Sequence, residues 1–164
     1  MKEKEVHPYL FAIGEEKKAL ITYLRFAYQT KNPSGKDMFI RLAMDEFEHM
    51  TSLEEFLLTA EEKVPISEIS DLIPKLPEKE IKTFAEGDIS DLNALQIARE
   101  LEERAIDFYR KEKENAKEEK AHSLWKRLEE MEISHYNLIQ AEIDSINKTG
   151  FWFSVREFTL EGER

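Results

Sequence analysis

Along four stretches of the chain, apolar residues recur at every third or fourth position, the spacing of a helix that buries one face. The first stretch, Val6 to Thr30, carries Tyr9, Ala12, Ile13, Leu20, Tyr23 and Ala27 on that face with Glu16 among them, while Glu15 falls off it. Asn32-Pro33-Ser34-Gly35 then reads as a stop, because proline disfavours helical geometry in the residue before it and asparagine and glycine tolerate turns. So short a connection predicts an antiparallel neighbour. The second stretch, Lys36 to Glu62, aligns Phe39, Leu42, Glu46, His49, Leu53, Phe56 and Ala60. Between Lys63 and Ser90 the pattern is broken by Pro65, Pro74, Pro77 and Gly87, with room for one or two helical turns around Glu78 to Glu86. That segment reads as a crossover from one end of a bundle to the other; equally, it permits two chains to exchange hairpins.

Asp91 is expected to cap a third helix, Leu92 to Glu119, whose stripe is Leu95, Ala98, Glu102, Ala105, Ile106 and Tyr109. A fourth, Lys120 to Asn147, uses Trp125, Leu128, Glu132, His135, Ile139 and Ile146. No proline or glycine marks the boundary between these two. The expected fold is all-α: a four-helix bundle over residues 1–148, built from two antiparallel hairpins with a long crossover between helices 2 and 3. Residues 149–164 form an aromatic tail with Phe151, Trp152, Phe153, Val155 and Phe158, suited to covering the bundle end or meeting a dimer partner.

The second hairpin repeats the first at an offset of 86 residues. Glu16 pairs with Glu102, Ala19 with Ala105, Tyr23 with Tyr109, Glu46 with Glu132 and His49 with His135; Ala12 with Ala98, Arg41 with Arg127 and Leu42 with Leu128 keep the same offset. An internal duplication is the economical explanation. Taken singly, a helix glutamate is usually solvated and a buried histidine is often just a satisfied core residue. Together, four glutamates and two histidines projecting from four helices into one interior form the ligand set of a di-iron or di-manganese carboxylate site. Two divalent cations side by side need bridging anions, a role for Glu46 and Glu132, with Glu16 and Glu102 at the two ends and one imidazole nitrogen each from His49 and His135. Mixed carboxylate and imidazole ligation suits iron or manganese. Tyr23 and Tyr109, two turns beyond the end glutamates, are placed to hydrogen-bond them. Glu48, Glu103, His7 and His122 fall off the stripes.

Composition narrows the chemistry further. The 164 residues fit one domain, and only 5 Gly and 5 Pro favour helix. A net charge of −11 argues against nucleic acid as a partner and suits small cations. With no cysteine, disulfides, thiolate-ligated metals and thiol nucleophiles are excluded. Met1-Lys2-Glu3-Lys4-Glu5 leads into no apolar signal region, and no apolar run approaches the ~20 residues of a membrane span, so a cytoplasmic protein with no membrane partner is expected.

On Glu16-x-x-Ala19-x-x-x-Tyr23, Glu46-x-x-His49, Glu102-x-x-Ala105-x-x-x-Tyr109 and Glu132-x-x-His135, the chain resembles the rubrerythrin group of the ferritin-like superfamily, over about Val6 to Asn147. The resemblance implies a non-haem di-iron centre in a dimer that reduces hydrogen peroxide or dioxygen with electrons from a separate donor such as a rubredoxin-like protein. Relatives that oxidise or store iron imply ferroxidase or storage activity as an alternative, and a non-redox structural or regulatory module is a third. The chain departs from the rubrerythrin pattern in two respects. It lacks the cysteines of the rubredoxin-like domain, and Ala105 stands where the group carries an additional glutamate.

Overall fold

The computed structural model describes residues 7–59 and 90–153. Among the described residues are four α-helices and no strand: α1 (Pro8–Gln29), α2 (Pro33–Thr59), α3 (Asp91–Asn115) and α4 (Glu119–Thr149). Each helix packs most closely on its hairpin partner, α1 on α2 and α3 on α4, and the two hairpins stand farther apart from each other. The expected all-α bundle of two hairpins is therefore what the chain forms. The stretch read as a crossover, with its helical turns around Glu78 to Glu86, lies outside the described residues except for Ser90, as do Ala60, Val155 and Phe158.

Local chemistry explains where the helices begin and end, and in two places it corrects the sequence reading. Asn32-Pro33-Ser34-Gly35 opens α2 rather than merely closing α1. Asn32 Oδ1 accepts from the backbone N–H of Ser34 at 2.9 Å and of Gly35 at 3.3 Å, satisfying donors that the first turn leaves free. Pro33 fits the first helical position, where its fixed φ is already helical and its missing N–H is not needed. Gly35 is thus a helical residue, selected by close approach: a Cβ there would lie 2.9 Å from Cζ2 of Trp152. The second correction concerns α3, whose cap is Ser90, with Oγ accepting from Asn93 N at 3.2 Å; Asp91 is its first helical residue. The unmarked turn between α3 and α4 is Ala116 to Glu118, with both end residues extended. Helix α4 runs to Thr149 and stops at Gly150, whose φ of 76° is the left-handed conformation that glycine adopts at no steric cost.

The apolar core falls into two layers. Tyr23, Phe26, Phe39, Leu42, Leu95 and Ile139 belong to one, nearer the α1–α2 turn; Ala12, Leu53, Tyr109, Leu124, Trp125 and Leu128 belong to the other. Glu16, Glu46, His49, Glu102, Glu132 and His135 are buried between them. Trp152 closes the first layer, edge-on to Phe39 with ring centroids 5.8 Å apart and with its Nε1–H donating to Asp91 Oδ2 at 3.0 Å. Asp91 and Gly35 thus share one end of the bundle, whereas Thr59 lines a cavity with Asn115 to Glu118 at the other. The chain leaves α2 at one end and enters α3 at the opposite one, about 40 Å away for a helix rising ~1.5 Å per residue. Among the described residues, no helix is long and apolar enough to cross a membrane.

Candidate metal centre

Each hairpin contributes two inward-facing helices, and each helix contributes what its register dictates. Glu16 of α1 and Glu102 of α3 come singly, while Glu46 with His49 of α2 and Glu132 with His135 of α4 come as pairs three residues apart, so that each pair shares one helix face. The structure brings all six together. Ligand atoms of Glu16, Glu46, His49 and Glu132 all lie within 4.8 Å of one another, and so do those of Glu46, Glu102, Glu132 and His135. Glu46 and Glu132 belong to both clusters, which therefore overlap.

The two clusters have the same geometry at the 86-residue offset. His49 Nδ1 lies 2.9 Å from Glu132, 3.2 Å from Glu46 and 3.5 Å from Glu16. His135 Nδ1 lies 3.1 Å from Glu132, 3.2 Å from Glu46 and 3.6 Å from Glu102. One ring nitrogen carries at most one proton, which cannot serve three carboxylates at once. Consistent with that shortage, Glu46 Oε1, Glu102 Oε2 and Glu132 Oε1 are buried and receive no well-directed hydrogen bond. Several oxygens and a nitrogen converging on one small volume are what a cation's coordination shell requires, and the all-oxygen-and-imidazole donor set fits a hard or borderline divalent metal. The structure places Nδ1 of both histidines on the inner side.

Electrostatics describe what the cluster does in the absence of cations. Burial, followed by the charges of Glu46 and Glu132, pushes the Glu16 carboxyl well above its ordinary range. Burial and the charge of Glu132 do the same to Glu102. Burial and Glu132 also act to raise Glu46, but hydrogen bonds with Glu16, His135 and His49 outweigh them and hold it low. Glu132 is held low in the same way, burial being overcome by hydrogen bonds with Glu102, His135 and His49. Burial would lower both imidazoles, yet their carboxylate partners prevail. His49 is pushed up to about 12 by Glu132, Glu16 and Glu46, and His135 is raised by Asp45, Glu102, Glu132 and Glu46. Protons on Glu16, Glu102 and the two histidines thus balance the charge that two cations would otherwise balance.

Tyr23 and Tyr109 both reach the site, and their partners are crossed. Tyr23 of α1 donates to Glu102 of α3, and Tyr109 of α3 donates to Glu16 of α1. Burial first, and then the glutamate charges, raise both phenols, so they remain donors. These two bonds lace α1 to α3 beside a cavity of about 450 Å³, lined by both tyrosines, by Ala12, Ala19, Ala105 and Phe108, and by Glu16, Glu46, Glu102 and Glu132. Ala105 therefore lines the cavity that the cluster also lines, where the rubrerythrin pattern has a further glutamate.

Glu48, Glu103 and His122 are exposed, as their registers require. His7 is half-buried rather than on the surface, with its ring 5.0 Å from that of Tyr9. Three buried or half-buried carboxylates escape the sequence reading. Asp45 Oδ2 lies 3.0 Å from Nε2 of His135, on the side of the ring away from the cluster; being half-buried and one position off the stripe, it gives no periodic signal. Glu129 is held by Arg110 and Lys113 of α3. Glu142 does carry a signal: it falls three residues after Ile139 and four before Ile146, on the stripe itself.

No curated protein and no solved structure matches the chain. The buried clusters mark a metal site in a ferritin-like bundle. The family model named Rubrerythrin matches residues 10–143, a span that holds all six cluster residues and both tyrosines, and the chain accordingly belongs to the rubrerythrin family.

Proposed function

We propose that the protein is a non-haem di-iron redox protein that reduces hydrogen peroxide or dioxygen with electrons from a separate donor, such as a rubredoxin-like protein. The observation that carries this reading is the pair of overlapping clusters, four donors each, sharing Glu46 and Glu132, which also line a cavity. Glu16, Glu46, His49, Glu102, Glu132 and His135 would hold the metal, Glu46 and Glu132 being common to both clusters. When bound, two irons supply electrons and Lewis acidity for cleaving an O–O bond.

The chain's own residues do the rest. The Tyr23 and Tyr109 hydroxyls hold the carboxylates of Glu102 and Glu16 by donated hydrogen bonds and so fix which oxygens face inward. Small side chains at Ala12, Ala19 and Ala105 leave the α1–α3 seam open to a molecule the size of peroxide, while the two apolar layers exclude bulk water from the other sides. Leu24, Ile40, Met44 and Phe47 form an exposed apolar strip on the α1–α2 face, which supports association of two chains there.

Stopped-flow mixing of anaerobic, iron(II)-loaded protein with peroxide tests the reading. Fast stoichiometric oxidation is expected, abolished in His49→Ala/His135→Ala. An unchanged rate in that variant rejects it. Size exclusion separates it from iron storage, since a dimer elutes as a small particle and a mineral-holding cage as a many-subunit one.

A further inference from the structure

We infer that the two halves of the metal centre are unequal, and that Asp45 is the positioning residue that gives the His135 half the tighter hold on a cation. This rests on the metal-binding reading above and adds to it which half fills first.

The six inner residues and both tyrosines obey the 86-residue repeat, and their distances repeat with it. The outer side of the histidines does not. His135 turns Nδ1 toward Glu46, Glu102 and Glu132, and its opposite nitrogen, Nε2, lies 3.0 Å from Asp45 Oδ2. His49 turns Nδ1 toward the equivalent three glutamates, but its Nε2 is buried without a hydrogen-bond partner among the described residues. The sequence accounts for the difference: at the repeat offset from Asp45 stands Met131. Both positions are half-buried. A thioether is at best a weak acceptor and carries no charge.

The consequence follows from how an imidazole binds a cation. A carboxylate on Nε2–H fixes the proton to that nitrogen, leaves the lone pair on Nδ1, locks the ring plane and makes Nδ1 a stronger donor. His135 has all four advantages once a cation displaces the proton on Nδ1, and its ring is held in place before that. His49 has none, and its Nε2–H gains no compensation for being out of water. Loss of such an outer partner typically costs ~10–100-fold in metal affinity, which sets the expected size of the inequality. The first cation therefore goes to Glu46, Glu102, Glu132 and His135, and the second to the His49 side.

The test is an anaerobic titration of the metal-free, full-length protein with cobalt(II), followed by calorimetry and by the visible absorption of the bound ion. Two cations repel, so unequal steps alone would also arise in a symmetric site; what discriminates is the step that each variant moves. Asp45→Asn, which keeps the shape and removes the charge, is expected to weaken the first step by ~10–100-fold and leave the second nearly unchanged. Met131→Asp is expected to strengthen the second step instead. Proton NMR of the cobalt form gives an independent readout, with the exchangeable Nε2–H resonance of His135 exchanging slowly in the parent and rapidly in Asp45→Asn. If the parent binds two cations and Asp45→Asn alters neither the first step nor that exchange, the inference falls and the metal site stands. If the parent binds none, both fall.

Discussion

Single buried groups in this protein have measurable consequences. Tyr23 and Tyr109 each give their only proton to a glutamate across the α1–α3 seam, so Tyr23→Phe or Tyr109→Phe leaves a buried carboxyl oxygen without its donor. Each change is expected to cost about 1 kcal/mol, the net worth of one such bond, read from urea midpoints of the metal-free protein. Glu142 is a separate case because it lies outside the cation clusters. Burial raises its carboxyl to about 7, only partly opposed by the backbone N–H of Phe153, which donates to Oε2 at 2.8 Å. An acid raised on folding binds its proton more readily in the folded state. The stabilisation it confers is therefore full below the unfolded value near 4.5 and is lost as pH rises through about 7. Each tenfold gain in proton affinity is worth ~1.4 kcal/mol, so the upper limit is roughly 3 kcal/mol. Glu142→Gln, still able to accept from Phe153, is expected to make the fall in stability between pH 5 and 8 shallower, the rest of it coming from Glu16, Glu102, His49 and His135, and to exceed the parent at pH 8. Parallel urea denaturation at both pH values checks this, and an unchanged slope with pH excludes Glu142 as its source. At this scale the duplication made the six cluster residues legible. Asp45 was not, because its partner His135 lies ninety positions away on another helix.

At the scale of the element, periodicity located each of the four helices among the described residues because one face of each is buried continuously, and the ends were harder because caps are individual side-chain bonds. Pro33 and Gly35 show why. Both residues read as breakers, yet one is preorganised for a first turn and the other is small because Trp152, more than a hundred positions later, packs against it. No local pattern encodes a contact of that range. The contact predicts a reversal of sign. Alanine in a helix is ordinarily more stable than glycine by up to ~1 kcal/mol, but Gly35→Ala would set a Cβ 2.9 Å from the indole ring and 3.0 Å from Thr30 Oγ1. It is expected to destabilise the parent by about 1–3 kcal/mol, the usual effect of overpacking. In a Trp152→Ala background most of that penalty should disappear. A double-mutant cycle on melting free energies measures the difference, and additivity of the two changes would show that the ring and Gly35 are not in contact.

At the scale of the whole molecule, the buried polar layer divides the core in two, so the cluster's charge state bears on global stability. Without cations the layer is kept neutral by protons on Glu16, Glu102, His49 and His135, all shifted upward by burial or by the carboxylates around them. A cation binding at Nδ1 and the glutamate oxygens must expel those protons, so binding is expected to release protons and to tighten as pH rises. Calorimetry in two buffers of different ionisation enthalpy counts the protons directly; heats independent of buffer would contradict the charge balance. Because the unfolded chain does not assemble the six ligands, any cation held by the fold also stabilises it. At a free concentration one hundred times the dissociation constant the gain is about 2.7 kcal/mol per site. For a chain of this size, at ~2–4 °C per kcal/mol, one filled site raises the melting midpoint by roughly 5–10 °C and a second adds to it. A chelator should remove the gain in full. Glu46→Gln/Glu132→Gln, which removes the two carboxylates common to both clusters, should remove it even with metal present. If that variant still gained stability from the cation, the binding site would lie elsewhere on a surface of net charge −11.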